Sequence, residues 1–203
     1  VKEGTVEFKA GTGFENIVGC KPDEIFKKGV SLAFVPEDRL GMGLVGSLDM
    51  VDNMLIRSYK NNKGPLVDRK TPKQVCDELI EALEIVTPGT STPVRRLSGG
   101  NVQKVLLGRE IHYNPKVLMV AYPVRGLDIN SSFKIYDLLN EQKKKGVAVL
   151  FVGEDLDVLM EISDRIMVLC GGAVSGIVDP RTATKEDVGL LMVHAGGEKE
   201  AKA

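Results

Sequence analysis

No tryptophan occurs in this 203-residue sequence, and aromatic residues make up only 5% of it. That leaves few ring faces on which bases could stack, which argues against a nucleic-acid partner. Charge nearly cancels, at a net −1, so no overall field draws the chain to nucleic acid or acidic lipid. No apolar run approaches the roughly 20 residues a membrane-spanning helix requires; the longest aliphatic stretches, such as Val147 to Val152, are strand-sized. The two histidines, His112 and His194, stand too far apart to suggest a ligand pair, and Cys20, Cys76 and Cys170 are scattered without metal-type spacing. The expectation is no metal centre and three unpaired thiols in a reducing compartment. No signal segment is legible. The sequence starts with Val1 rather than Met, so it reads as a piece of a longer polypeptide.

What is present is ordinary for a folded domain: 43% apolar and 27% charged residues, enough for one substantial core or a domain with a subdomain. Residues 4–9 alternate like a half-exposed strand, Pro22 to Lys28 reads as a short helix, and Val30 to Val35 as a buried strand ended by Pro36. A Gly-rich loop is expected over Leu40 to Met50, a short helix over Asp52 to Tyr59, a turn at Asn61 to Pro65 and an amphipathic helix over Lys73 to Val86. After a Thr/Pro connector come a helix from Gly99 to Tyr113, a strand at Val117 to Ala121, a helix from Asn130 to Lys145 closed by Gly146, and a strand at Val147 to Val152. The remainder reads as a helix over Leu156 to Ser163, a strand over Arg165 to Leu169, a Gly171-Gly172 hairpin into Val174 to Val178, a helix over Thr184 to Met192 and a disordered tail over 196–203. The alternation predicts an α/β fold with a doubly wound, mostly parallel sheet.

The most informative run is Leu97-Ser98-Gly99-Gly100-Asn101-Val102-Gln103-Lys104, set where a helix begins. Ser98 can cap that helix. Two glycines remove side chains where an anion would touch backbone, and the first N–H groups of the helix point outward with the positive end of its dipole. A Ser-Gly-Gly turn alone reads as a plain capped turn. The longer run, however, resembles the signature motif of ATP-binding cassette (ABC) proteins, in the variant of sugar- and nucleoside-importer ATPases, with Val102 in place of a Gln. Three further stretches fall in family order. Val117 to Asp128 resembles the Walker B strand and D-loop, Val35-Pro36-Glu37-Asp38-Arg39 with Gly43-Leu44 resembles the Q-loop region, and Val152 to Leu156 with Ser163 to Ile166 resembles the switch region and the strand after it.

The resemblance implies a P-loop-NTPase-like cassette over residues 1–195 with an inserted helical subdomain at about 50–113, lacking the Walker A strand and helix. No Gly-x-x-x-x-Gly-Lys-Ser/Thr occurs, and the Gly-Thr-Gly at 11–13 reads as a turn. At the Walker B position, Ala121 and Tyr122 stand where the family has Asp-Glu; neither can hold Mg²⁺ or polarise water as a carboxylate does. Glu154 occupies the switch position, or is a solvated residue at a helix start. The Ala121-to-Asp128 run is similar to the second cassette of nucleoside-type importers, as are the Asn53-Met54 and Thr87-Pro88 neighbourhoods. Two cassettes of the family close head to tail around ATP and Mg²⁺. No catalytic residue is therefore expected in this chain. Ser98, Gly99, Gly100 and Gln103 would serve ATP held by a partner cassette, and Asp128 in the D-loop would couple the two sites. Glu37 would contact a membrane subunit or a metal-bound water, or simply pair with Arg39. Implied partners are a second cassette, membrane permeases on the cytoplasmic face and, indirectly, a periplasmic or lipoprotein solute-binding protein. A missing central strand between 147–152 and 165–169 leads to a further expectation: another segment fills the gap, the sheet closes up, or copies associate. The rival reading is a non-transport cassette or a scaffold module that only binds a partner.

Overall fold

Three aliphatic runs form the heart of the molecule. The computed structural model describes residues 3–10, 13–59 and 66–193, and in it β3 (Leu32–Val35), β4 (Val117–Ala121) and β5 (Ala148–Val152) pair in parallel with β4 in the middle. Ala33, Val35, Leu118 and Val120 are fully buried on one face of this sheet. There they pack with α4 (Gly99–His112) and α5 (Ile129–Lys144), whose Val105, Leu106, Leu107, Ile135 and Leu139 complete the core. At about 25 cal/mol per Å² of apolar surface, this burial is the main stabilising term. On the other face Leu32, Phe34, Leu150 and Val152 remain 40% to 51% exposed.

Helix starts follow capping chemistry. Asp49, Ser98 and Asp128 each accept a backbone N–H at the start of α2 (Met50–Ser58), α4 and α5. With α3 (Lys70–Ala82), α2 and α4 fill residues 50–113 without a ladder strand among the described residues. β1 (Glu7–Ala10) and β2 (Gly13–Asn16) form an antiparallel hairpin, and α1 (Pro22–Lys27) starts on proline as expected. The strand expected at 4–9 begins later, and its partner β2, with every residue exposed, carries no alternation that would have revealed it.

The chain divides into two compact units after Val152. The second holds α6 (Leu156–Ile162), β6 (Ile166–Cys170), β7 (Ala173–Val178) and α7 (Lys185–Val193) around Ile166, Val168 and Val188. Gly171 and Gly172, at φ 58° and 81°, make the predicted hairpin turn between β6 and β7. Gly176 lets α7 approach, since a Cβ there would lie 2.8 Å from Leu191 Cδ1.

Two expectations are corrected. The segment expected to be loop from Leu40 contains a wide helical turn, Arg39–Gly43. The Asp38 carboxylate accepts the Gly41 N–H at 2.8 Å, and Gly43 admits Leu106, whose Cδ2 would stand 2.7 Å from a Cβ. The strand at 147–152, expected to be central, stands at the edge of its ladder among the described residues, where β5 pairs with β4 alone and β6 with β7 alone. Among the described residues no further strand pairs with β5. The turn expected at 61–65 and the tail at 196–203 lie outside the described residues.

Candidate functional site: the start of α4 and the end of β4

The first turn of α4 is built around Ser98. Its Oγ accepts from the Asn101 N–H at 3.4 Å and from Asn101 Nδ2 at 2.9 Å, so its own hydroxyl proton is left to donate outward. Ser98 and Gly99 are exposed. Asn101 is pinned in turn, its Oδ1 accepting the Val86 N–H at 2.9 Å. Lys104 is 7% exposed and points inward, donating to the Glu84 carbonyl at 3.0 Å. Burial, the leading influence, draws its ammonium below the ordinary value. Two side chains of the run thus stitch α4 to the 84–86 turn, leaving the serine and glycines at the surface.

The glycines have a second use. A Cβ on Gly100 would lie 2.8 Å from Ser131 Oγ, and one on Gly99 would lie 3.2 Å from Arg39 Nη1. The space they leave is taken partly by this chain's own side chains. Ser131 caps back onto Asp128, its N–H and hydroxyl donating to the carboxylate at 2.9 and 2.7 Å. Those bonds, the hydroxyl's first, hold the Asp128 carboxyl below its usual range. The first turns of α4 and α5 therefore touch, which brings Ser98, Gly99, Gly100 and Asp128 into one neighbourhood.

Gln103 does not join them. It was expected to serve nucleotide with the signature residues, but its side chain is 0% exposed, and neither amide atom has a hydrogen-bond partner. Every residue of α4 from Val102 to Glu110 is buried, so Gln103 faces protein, not an incoming phosphate.

At the carboxyl end of the sheet the donors are poor. β4 ends on the Ala121 methyl, and Tyr122 follows with φ +47°, a region costing a non-glycine residue about 1–2 kcal/mol. Its N–H donates to the Val152 carbonyl at 2.8 Å. Glu37 pairs with Arg125 rather than with Arg39. Arg125 lies 6.0 Å from the Tyr122 ring centroid, and Arg39 donates to the Arg125 carbonyl. Arg39 is partly buried, which lowers its pKa. Glu37, Arg39, Leu97, Gly99, Val102 and Arg125 line an open cleft of about 450 Å³. Glu154 is exposed and immediately precedes Asp155, the residue that caps α6. The free thiol of Cys76 is buried and pushed up to about 12, far from nucleophilic use. Arg125 and Arg39 went unnoticed in the sequence as links between motifs; only the placement of Arg125 inside the Walker B-like run hinted at it.

Similarity to known proteins bears directly on these features. Over 159 residues the chain is 40% identical to the galactose/methyl galactoside import ATP-binding proteins MglA of Escherichia coli (strain K12), Salmonella typhimurium and Shigella boydii serotype 4. The match takes in 77% of this chain and 31% of each relative. Among solved structures, the dimeric ATP-binding cassette MJ0796 bound to ADP and Pi superposes with a TM-score of 0.68 at 22% identity, covering 83% of this chain and 72% of that one. The chain is similar in sequence to part of these import ATP-binding proteins. A second cassette, cbiO1 of Clostridium perfringens, matches at TM-score 0.61 and 21% identity over 79% of this chain and 62% of that one, and the two structures establish the cassette fold. No protein-family model matches the chain. It spans about a third of the length of its curated relatives. Among the described residues no helix is long and apolar enough to cross a membrane.

ATP and Mg²⁺ are the ligands that the motif resemblance led one to expect, and the residues present suit them unequally. The start of α4 offers a phosphate a hydroxyl proton, free helix N–H groups and the positive end of a 14-residue helix. The end of β4 offers Mg²⁺ no carboxylate, and no cluster of three metal-capable side chains occurs among the described residues. The donor set fits phosphate and does not fit Mg²⁺.

Proposed function

We propose that this chain is the signature-bearing part of an importer cassette that serves a nucleotide held by another cassette. The observation that carries the reading is the asymmetry of donors: an exposed Ser98-Gly99 followed by a half-buried Gly100 at the start of α4, and Ala121-Tyr122 where a metal-binding pair would stand. Ser98 would donate its hydroxyl proton, and the first N–H groups of α4 would add backbone donors in a fixed array, which favours an anion without reorganisation. Asp128, bound to the same cluster through Ser131, would transmit its occupancy to the partner. The partner would supply the lysine-bearing phosphate loop and the metal, and membrane permeases would use the cycle to move solute. The names of the relatives favour a sugar as that solute; the Ala121-Tyr122-Pro123-Val124-Arg125-Gly126-Leu127-Asp128 run keeps nucleosides as the second choice.

Mixing the chain with its cognate complete cassette tests the reading. Ser98→Arg places a bulky cation at the dipole's positive end and should lower ATP turnover by at least about 100-fold. Unchanged turnover overturns the reading. The chain by itself should give no calorimetric signal for ATP in the micromolar range. Recovery of ribosomes rather than a multi-spanning permease in a pull-down would favour a non-transport cassette.

A further inference from the structure

Asn101 stands between the capping serine and the turn behind α4. The Val86 N–H, which can only donate, lies 2.9 Å from Asn101 Oδ1. This fixes the amide with its oxygen toward Val86 and its NH₂ on the other side. That NH₂ donates to Ser98 Oγ at 2.9 Å, and the Asn101 backbone N–H approaches the same oxygen at 3.4 Å. Both lone pairs of Ser98 Oγ therefore face N–H donors.

The chain of bonds has a rigid source. Leu83 and Ile85 are buried. Leu83 packs over Gly108, where a Cβ would lie 2.9 Å from Leu83 Cδ1. Lys104 holds the Glu84 carbonyl at 3.0 Å, and Lys134 of α5 pairs with the Glu84 carboxylate. Turning the amide over would set its NH₂ against the Val86 N–H. Turning the serine proton inward would set it against the NH₂. Both wrong arrangements place donor against donor. A hydroxyl is ordinarily free to donate to a ligand or to accept from it. Ser98, exposed at the start of α4, is restricted to donating. That suits the unprotonated oxygens of a terminal phosphate, and the direction is set before the ligand arrives. We propose that Asn101 is a positioning residue, which takes its orientation from the Val86 N–H and sets Ser98 as an outward donor to a terminal phosphate. This rests on the nucleotide reading above.

ATP turnover by the chain mixed with its cognate complete cassette tests it. Ser98→Ala removes the donor and Asn101→Ala frees it to rotate, so each should lower kcat by about tenfold while the backbone donors remain. The double variant should lose the same factor of about ten, because Asn101 acts through Ser98; an independent structural role would multiply the losses to about a hundredfold. Asn101→Asp keeps the shape but reverses the second bond, since its carboxylate accepts from Val86 and draws the Ser98 proton inward. It should retain the wild-type circular dichroism and lose at least about tenfold in kcat. The introduced carboxyl also gives a readout apart from activity. Titrated by ¹³C NMR in the chain alone, its acid ionisation constant should be about tenfold larger with Ser98 present than in a Ser98→Ala background. Multiplied losses in the double variant, wild-type turnover in Asn101→Asp, or a carboxyl indifferent to Ser98 would overturn this inference and leave the nucleotide reading standing. Unchanged turnover in Ser98→Arg would overturn both.

Discussion

The start of α4 and the end of β4 lie a few residues apart in space, joined through Arg39, Arg125 and Glu37, yet one is equipped and the other is bare. At α4 a serine caps the helix, two glycines expose its backbone, and Asn101 and Lys104 anchor the turn from behind. At β4 the sheet delivers a methyl group and a strained tyrosine to the position where parallel α/β sheets hold their ligands. The scaffold of each region is equally well built: Leu118 and Val120 are as buried as Leu106 and Leu107. The difference therefore lies in side-chain chemistry alone. The two ends are alike in the burial of the scaffold beneath them and unlike in the groups they present.

The strongest way to break this comparison is to remove what holds α4 in place. Glu110 is 2% exposed and takes Arg109 Nε at 2.9 Å and Arg57 at 3.0 Å, while Arg109 reaches the Gly43 carbonyl at 2.7 Å. Glu110→Ala leaves Arg109 as a buried cation without its carboxylate and should destabilise the fold by about 3–5 kcal/mol. Urea denaturation followed by circular dichroism checks it. A loss below about 1 kcal/mol would mean that α4 is held by its apolar contacts alone.

Tyr122 sharpens the comparison from the other end. Its left-handed backbone is a conformation glycine adopts freely, so Tyr122→Gly should raise stability by about 1 kcal/mol if the ring contributes little. Thermal denaturation gives the sign. A fall in stability instead would assign the residue a packing role through the Arg125 guanidinium above its ring, and β4 would then be a region rebuilt rather than merely stripped.

Much of this arrangement was legible in sequence, and the reasons differ by region. The α4 start was readable because capping is local: Ser98, the glycines and the helix lie within one turn. β4 was readable because a five-residue aliphatic run between turn signals has few alternatives. The position of β5 was not, because strand order depends on which chain segments meet, and β5 looks as aliphatic as β4 while standing at the edge. Gln103 misled because α4 is buried along Val102 to Glu110, so polar residues there carry no signal of which way they face. The partner of Glu37 misled for a related reason. Arg39 stands two residues away in sequence, where an extended chain points neighbours to the same side, yet the wide turn at Arg39–Gly43 swings it toward Gly99, and Arg125 arrives from beyond β4.

That pairing yields the smallest effect and the finest test. Glu37 and Arg125 have side chains 44% and 61% exposed, so solvent screens their attraction and Glu37→Gln should change stability by less than about 1 kcal/mol. A double-mutant cycle with Arg125→Gln measures the coupling free of each residue's other contacts. Coupling near zero, lost altogether in high salt, would make the pair an incidental surface contact and leave the α4 and β4 regions energetically independent. Coupling well above 1 kcal/mol that survives salt would show that Glu37, Arg125 and the Arg39 bridge act as one unit. A ligand at Ser98 could then be felt at the end of β4, even though that end has no donors of its own.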